Sequence, residues 1–220
     1  MERKKFVELV EKEFRWLIDL GYEFNHIEQG ISFIKSAEKE AFKIYFSWAE
    51  YNEYCIYGIN CAKRFNSIEH LIEKSTGNLD FTIFKRHQGI IPNELESLKD
   101  DYHLNSFYIA QYSQISIFSQ MVRDFYNNEV LAFYDNFKNL KDILFWLSNN
   151  DIKEHSKLLV NSQNCMMLRK LIIMKKENSI EFDNLYGRYK SNLHQKFNEN
   201  ESPYSKMYLD FIKFDTYFMS

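Results

Sequence analysis

The spacing of apolar residues changes once in the first third of the chain. At first they recur every three or four positions, which is typical of an amphipathic helix (Phe6, Val10, Phe14, Leu17). Gly21 follows and supplies the left-handed cap at which such helices end. The period then becomes two, which predicts strands at 22–27, 31–35, 41–49 and 54–62. A helix packed on a small antiparallel sheet is therefore expected.

The helical period returns in the second half. It predicts helices at 106–127, 135–148, 152–160, 163–176, 180–197 and 203–218. Before them, Ser67 caps a short helix that stops before Gly77, and a further strand is predicted at 79–85. The fold class is thus α+β: an N-terminal helix and small antiparallel sheet, then an all-helical C-terminal half.

The segment from 88 to 104 separates these two patterns. It contains Gly89 and Pro92, which interrupt regular structure. We therefore predict a helix-on-sheet region at 1–87, a linker at 88–104 and a helical region at 105–220. The pattern leaves open whether the two regions share one core.

Composition supports a packed protein built from long elements. Apolar residues make up 45% of the 220 residues and aromatic residues 17%, so bulky rings must fill much of the interior. Only 6 glycines and 2 prolines are present, which argues against a fold of many turns. The net charge of −3 lacks the basic excess typical of nucleic-acid binding, so no nucleic-acid partner is expected.

Several features predict a cytoplasmic location. No apolar run approaches the roughly 18 residues of a membrane helix, so no membrane contact is expected. The basic start is followed by Glu8 and Glu11 rather than by the apolar core of a secretory signal. The 3 cysteines, an odd number, suit reduced thiols.

No pattern of catalytic or metal-binding residues is evident. None of the glycines forms a phosphate-binding loop, and the 6 histidines are scattered. Cys55 and Cys61 are six positions apart on a predicted strand, about 20 Å, which is too far for one metal ion or one disulfide. We therefore predict no catalytic residues, no metal and no cofactor, and hence no enzyme.

One charged cluster keeps an enzymatic alternative open. Asp80 precedes Lys85-Arg86-His87 at the end of a predicted strand, and Asp100, Asp101 and His103 follow. A small metal-dependent nuclease would use carboxylates and a lysine of this kind. A solvated loop explains the same residues.

The turn between the two longest predicted strands is the best candidate for a binding surface. It carries three aromatic residues and two glutamates, and a hairpin tip has no reason to bury all of them. Tyrosine and tryptophan are also enriched at protein interfaces. We predict a partner-binding site formed by Trp48, Glu50, Tyr51, Glu53 and Tyr54.

Three features carry a resemblance to known proteins. They are Leu20-Gly21-Tyr22-Glu23-Phe24 after the first helix, the paired strands at 42–48 and 54–62, and Phe133-Tyr134-Asp135-Asn136-Phe137-Lys138-Asn139-Leu140 at a later helix start. This order resembles small bacterial domain-of-unknown-function proteins, including predicted immunity proteins from polymorphic-toxin and contact-dependent inhibition loci. The resemblance implies binding without catalysis.

These observations predict a non-enzymatic cytoplasmic protein-binding module. Its most concrete form is an immunity-type protein that binds and neutralises a cognate toxin. Two alternatives remain: the nuclease with Asp80, Lys85 and His87, and a scaffold whose helical half assembles with itself. The sequence does not indicate an oligomeric state.

Overall fold

A computed structural model describes residues 2–27, 30–50, 54–87, 107–162, 165–199 and 204–219. The predicted α+β class is confirmed: an antiparallel sheet occupies the N-terminal half and the C-terminal half is helical. None of the helices in these ranges has the length and apolar character needed to cross a bilayer.

The described elements follow one another in a simple order. Two helices begin the chain, α1 (Arg3–Glu13) and α2 (Arg15–Asp19). Four strands come next: β1 (Glu23–Ile27), β2 (Gly30–Ser36), β3 (Glu40–Glu50) and β4 (Tyr54–Phe65). They are followed by α3 (Asn66–Thr76), β5 (Ile83–Arg86) and β6 (Phe107–Ile109).

Helices make up the rest of the described chain. They are α4 (Tyr112–Phe125), a π-helical turn (Tyr126–Val130), α5 (Leu131–Asn136), α6 (Leu140–Ser148), α7 (Met166–Lys176), α8 (Phe182–Asn198) and α9 (Tyr204–Phe218). A short 3₁₀ turn lies at His155–Lys157. The helix predicted at 152–160 is therefore wrong.

Contacts group the chain into two compact units. Unit 1 is Met1–Lys63 with Lys85–Asp135, and unit 2 is Arg64–Phe84 with Asn136–Ser220. Each unit thus combines segments that are distant in sequence, whereas the predicted division was into two continuous regions. The predicted linker at 88–104 lies outside the described residues.

The sheet is ordered β1-β2-β3-β4-β5, with β6 paired to β4. Phe24 of β1 lies opposite Phe33 of β2, and Phe33 lies opposite Ile44 of β3, so alternate residues of the three strands form one apolar face. That face is covered by the N-terminal helices, because Phe14 stacks on Phe33 with ring centroids 5.3 Å apart. Helix α4 completes this core through Phe118, 4.7 Å from Phe46.

Unit 2 is a helical cluster with its own core. Helix α7 packs against α3, α6 and α8, and α9 packs against α3 and α8. Phe211 and Phe214 of α9 are fully buried. A buried ion pair crosses this core: the Arg169 guanidinium donates to both carboxylate oxygens of Glu69, at 2.9 and 2.8 Å.

Candidate functional site

Two of the five residues predicted to bind a partner belong to the core of unit 1. Trp48 is 1% exposed and Tyr54 is 2% exposed. The Tyr54 ring stacks on Phe6 of α1 with centroids 4.1 Å apart, and the Trp48 ring lies 5.3 Å from Tyr54. This burial corrects the prediction for both residues, whose rings support the hairpin from inside.

The burial of Trp48 follows from the period of β3. Ile44, Phe46 and Trp48 alternate along the strand and point to the same side, where the first two are also buried. The Arg3 guanidinium then covers the indole at 5.1 Å from its ring centroid. The alternation predicted this strand correctly, but the Trp48 ring was expected at the surface.

Glu50 is the predicted residue that the structure places at the surface. It ends β3, is exposed, and accepts a hydrogen bond from the Tyr54 hydroxyl at 3.4 Å. Burial raises the pKa of Tyr54, and the neighbouring Glu50 carboxylate adds to that shift. A buried phenol thus holds an exposed carboxylate. The other two predicted residues, Tyr51 and Glu53, lie outside the described residues.

The residues of the nuclease alternative fall into different units. In unit 1, Lys85 Nζ lies 3.0 Å from Glu129 Oε2, and His87 Nδ1 lies 3.6 Å from Glu129 Oε1. Burial lowers the pKa of His87, although the Glu129 carboxylate opposes that shift. Asp80 belongs to unit 2, where its Oδ1 accepts the Phe81 N–H at 2.8 Å.

Glu129 was missed by sequence reasoning because it lies 44 positions from Lys85 and no local motif connects them. Asp100, Asp101 and His103 lie outside the described residues. Within the described ranges, no group of three histidine, cysteine or acidic side chains is placed to hold a metal ion. Lys85 and Glu129 therefore form an ion pair, and the buried His87 imidazole lies beside it.

The side chains of all three cysteines are buried. Burial raises the pKa of Cys61 to about 12, and it also raises the pKa of Cys165. Only the thiolate is a good nucleophile or metal ligand, so both thiols are inert near neutral pH.

Unit 1 also carries an open groove between α1 and β1. It encloses about 660 Å³ and is lined by Arg3, Lys4, Val7, Glu8, Glu11, Phe24 and His26. The helix residues lie on one face of α1, and Phe24 and His26 are alternate residues of β1. The groove has an apolar floor and charged walls, and the sequence pattern alone did not reveal it.

Comparison with known proteins assigns no family to this geometry. No protein-family model, curated protein or solved structure matches the chain. The function of the hairpin must therefore be inferred from its own residues.

Proposed function

We propose that this is a non-enzymatic cytoplasmic binding protein of the immunity type, which neutralises a cognate bacterial toxin through the end of the β3–β4 hairpin. The observation that carries the proposal is the exposed Glu50 carboxylate, fixed by the buried Tyr54 hydroxyl. Glu53 and Tyr51 adjoin it in the sequence and add a second acid and an aromatic ring.

The aromatic cluster of Phe6, Trp48 and Tyr54 favours tight binding by such a hairpin. Its rings hold the strand ends in one conformation, which reduces the conformational entropy lost on association. An acidic side chain on such a support, as Glu50 is, attracts a basic partner and raises the association rate. Toxins that cleave nucleic acids present basic surfaces of this kind, because they bind phosphates.

Four reactive side chains of the described residues have structural roles, which supports binding over catalysis. Cys61 and Cys165 are buried with raised pKa values. Glu129 is engaged by Lys85, and Asp80 lies near Arg169. The resemblance to immunity proteins points in the same direction.

The test begins with capture of the tagged protein from its host, with identification and stoichiometry of what it binds. The affinity of the captured partner is then measured for wild type, Glu50→Lys, Glu53→Lys and the double variant. We expect each reversal to weaken binding about tenfold, since desolvated acidic contacts at interfaces are worth a kcal/mol or more. Asp151→Lys, an equal charge change at an exposed position of unit 2, is the matched control and should bind normally.

Two further outcomes separate the alternatives. Trp48→Ala should unfold unit 1 in part and lose binding through instability, whereas Trp48→Phe should fold and bind. Wild-type affinity in the Glu50→Lys/Glu53→Lys variant would remove the hairpin from the interface. Absence of any partner, combined with metal-dependent cleavage of nucleic acid that Lys85→Ala abolishes, would favour the nuclease.

A further inference from the structure

Strand β1 stands at the end of the sheet. It pairs with β2 along one side, and in the described part of the chain no strand pairs with its other side. Glu23, Asn25, His26 and Ile27 are exposed, Ile27 by 72%. An exposed edge strand offers backbone N–H and C=O groups to a further strand. The Glu23 carbonyl accepts a hydrogen bond from the Asn25 side-chain amide at 3.3 Å, which a pairing strand would replace.

Helix α1 presents separated charges beside this edge. Arg3, Lys4 and Lys5 lie in its first turn, whereas its second half carries Glu8, Glu11 and Glu13 together with one basic residue, Lys12. The Lys4 and Glu8 side chains form a loose ion pair at 3.9 Å that is 89% and 62% exposed and so open to a further partner, and Glu11 is also exposed. A helix with net positive charge at one end and net negative charge at the other is complementary to an antiparallel copy of itself.

We propose that a second copy of this chain docks on this surface, with the two β1 strands paired antiparallel about a two-fold axis at Asn25. Such an interface is isologous: the same patch serves both copies. The register places Asn25 opposite the partner's Asn25 and Glu23 opposite the partner's Ile27. The apolar floor of Val7 and Phe24 is covered in both copies at once.

The same axis accounts for the charges on α1. A two-fold axis perpendicular to the sheet leaves both copies of α1 on the same face of the combined sheet. It also reverses the direction of every element that runs parallel to the sheet. The two α1 helices then run antiparallel, and Lys4 of one copy approaches the partner's Glu11. The exposed edge of β1 and the opposite charges at the two ends of α1 are independent features, and the same two-fold arrangement accommodates both.

The first measurement is the molar mass of the full chain over a range of concentrations, by sedimentation equilibrium. We expect a monomer–dimer equilibrium in the wild type. Asn25→Lys places two like charges opposite each other at the axis and should raise the dimer dissociation constant at least about tenfold. Ser36→Lys, an exposed position of the inner strand β2, is the matched control and should leave the constant unchanged.

The second measurement exchanges the charges. Lys4→Glu turns two attractive contacts per dimer into repulsive ones and should raise the dissociation constant about tenfold. The double variant Lys4→Glu/Glu11→Lys should bring it back to within about threefold of wild type. Circular dichroism of each variant at low concentration confirms that the monomer is folded.

A disulfide tests the axis directly. Asn25→Cys creates the one accessible thiol among the described residues, since Cys55, Cys61 and Cys165 are buried. Residues opposite each other on antiparallel strands have Cβ atoms about 5 Å apart, close enough for oxidation to trap the dimer. Ser36→Cys should remain monomeric under the same oxidation.

Three results would overturn the proposal. They are a monomeric wild type up to about 100 µM, a dimer that is indifferent to Asn25→Lys, and failure of the charge exchange to restore dimerisation in a folded monomer. Capture of a different protein in competition with dimerisation would assign the groove to that partner instead.

Discussion

In unit 2, the backbone conformation at a position decides which residue it accepts, and Gly77 is an example. Gly77 ends α3 with φ +76°, and its N–H donates to the Glu73 carbonyl at 2.7 Å. A Cβ added there would meet no atom within 4 Å, so the left-handed conformation is the whole cost of a side chain. Glycine is therefore favoured at this helix end by the left-handed backbone conformation and not by a lack of room for a side chain.

Gly77→Ala should lower the free energy of unfolding by about 1 kcal/mol because alanine is strained at positive φ. Gly187→Ala is the matched opposite, since Gly187 lies inside α8, also with open space around it. It should raise the free energy of unfolding by about 0.5–1 kcal/mol. Urea unfolding followed by circular dichroism measures both. Changes of the same sign would contradict this explanation.

The buried pair of Glu69 and Arg169 should show strong coupling. Glu69 also accepts a hydrogen bond from the Thr82 hydroxyl at 2.9 Å, and Arg169 donates to the Val160 carbonyl at 2.7 Å. Arg169→Met leaves a buried carboxylate uncompensated and should cost about 3–5 kcal/mol.

The control is the apolar pair Glu69→Leu/Arg169→Met, which removes both charges. It should recover most of the loss, because replacing a whole buried ion pair by apolar residues is often nearly neutral. Chemical denaturation of the two single variants and the double variant completes the cycle. Additive effects would show that the two side chains stabilise the core independently.

At the scale of elements, alternation predicted most of the sheet. The predicted Ser67 cap is wrong, because α3 begins at Asn66 and its N-cap residue is Phe65. Strands expected at 22–27, 31–35, 41–49 and 54–62 appear as β1–β4 with small shifts at their ends. The helix expected at 106–127 instead begins at Tyr112, after strand β6, and continues through the π-helical turn into α5. Val130 and Phe133 are buried there, so the apolar face does not end at Asn127.

The segment at 152–160 shows why helical spacing alone can mislead. Its apolar residues fit a helical face, but Leu159 pairs with Ile83 in a β-bridge. His155 Nε2 faces the carbonyls of Leu147 and Asn150 at 2.9 and 3.0 Å, so this nitrogen carries the hydrogen and donates. Contacts with distant residues therefore override the local period.

Lys170 of α7 contacts this same segment through the side chain of His155. Its ammonium donates to His155 Nδ1 at 3.3 Å, and burial lowers the pKa of Lys170 although the Glu181 carboxylate opposes the shift. The folded protein thus releases this proton at a lower pH than the unfolded chain does. Stability is reduced below the folded pKa and recovers as pH rises toward the ordinary value of lysine.

The free energy of unfolding of the wild type relative to Lys170→Met should therefore increase as pH rises from the lowered pKa of Lys170 toward the ordinary pKa of lysine. Urea unfolding at a series of pH values measures this difference, which removes the contribution of groups common to both proteins. Lys153→Met, at an exposed position, is the control and should show a weaker dependence. A difference that falls with pH would contradict the assigned direction.

At the scale of the molecule, each compact unit contains segments from before and from after residues 88–104. Unit 1 combines the sheet with α4, where Phe118 contacts Phe14 and Phe46 at centroid distances of 5.3 and 4.7 Å. Unit 2 combines α3 with the C-terminal helices, through Glu69 and Arg169. The sequence indicated these elements but not their grouping, because the partners are about 100 positions apart and no local pattern links them.

Fragments cut at the predicted boundary should therefore fail to fold separately. Fragment 1–104 lacks α4 and leaves the aromatic core of unit 1 open, and fragment 105–220 lacks α3 and leaves the Arg169 guanidinium buried without Glu69. Neither should show a cooperative unfolding transition or dispersed amide resonances. Co-expression should restore a folded complex that purifies as one species, since each fragment supplies what the other lacks. Cooperative unfolding of 105–220 by itself would instead support the continuous helical domain that the hydrophobic pattern predicted.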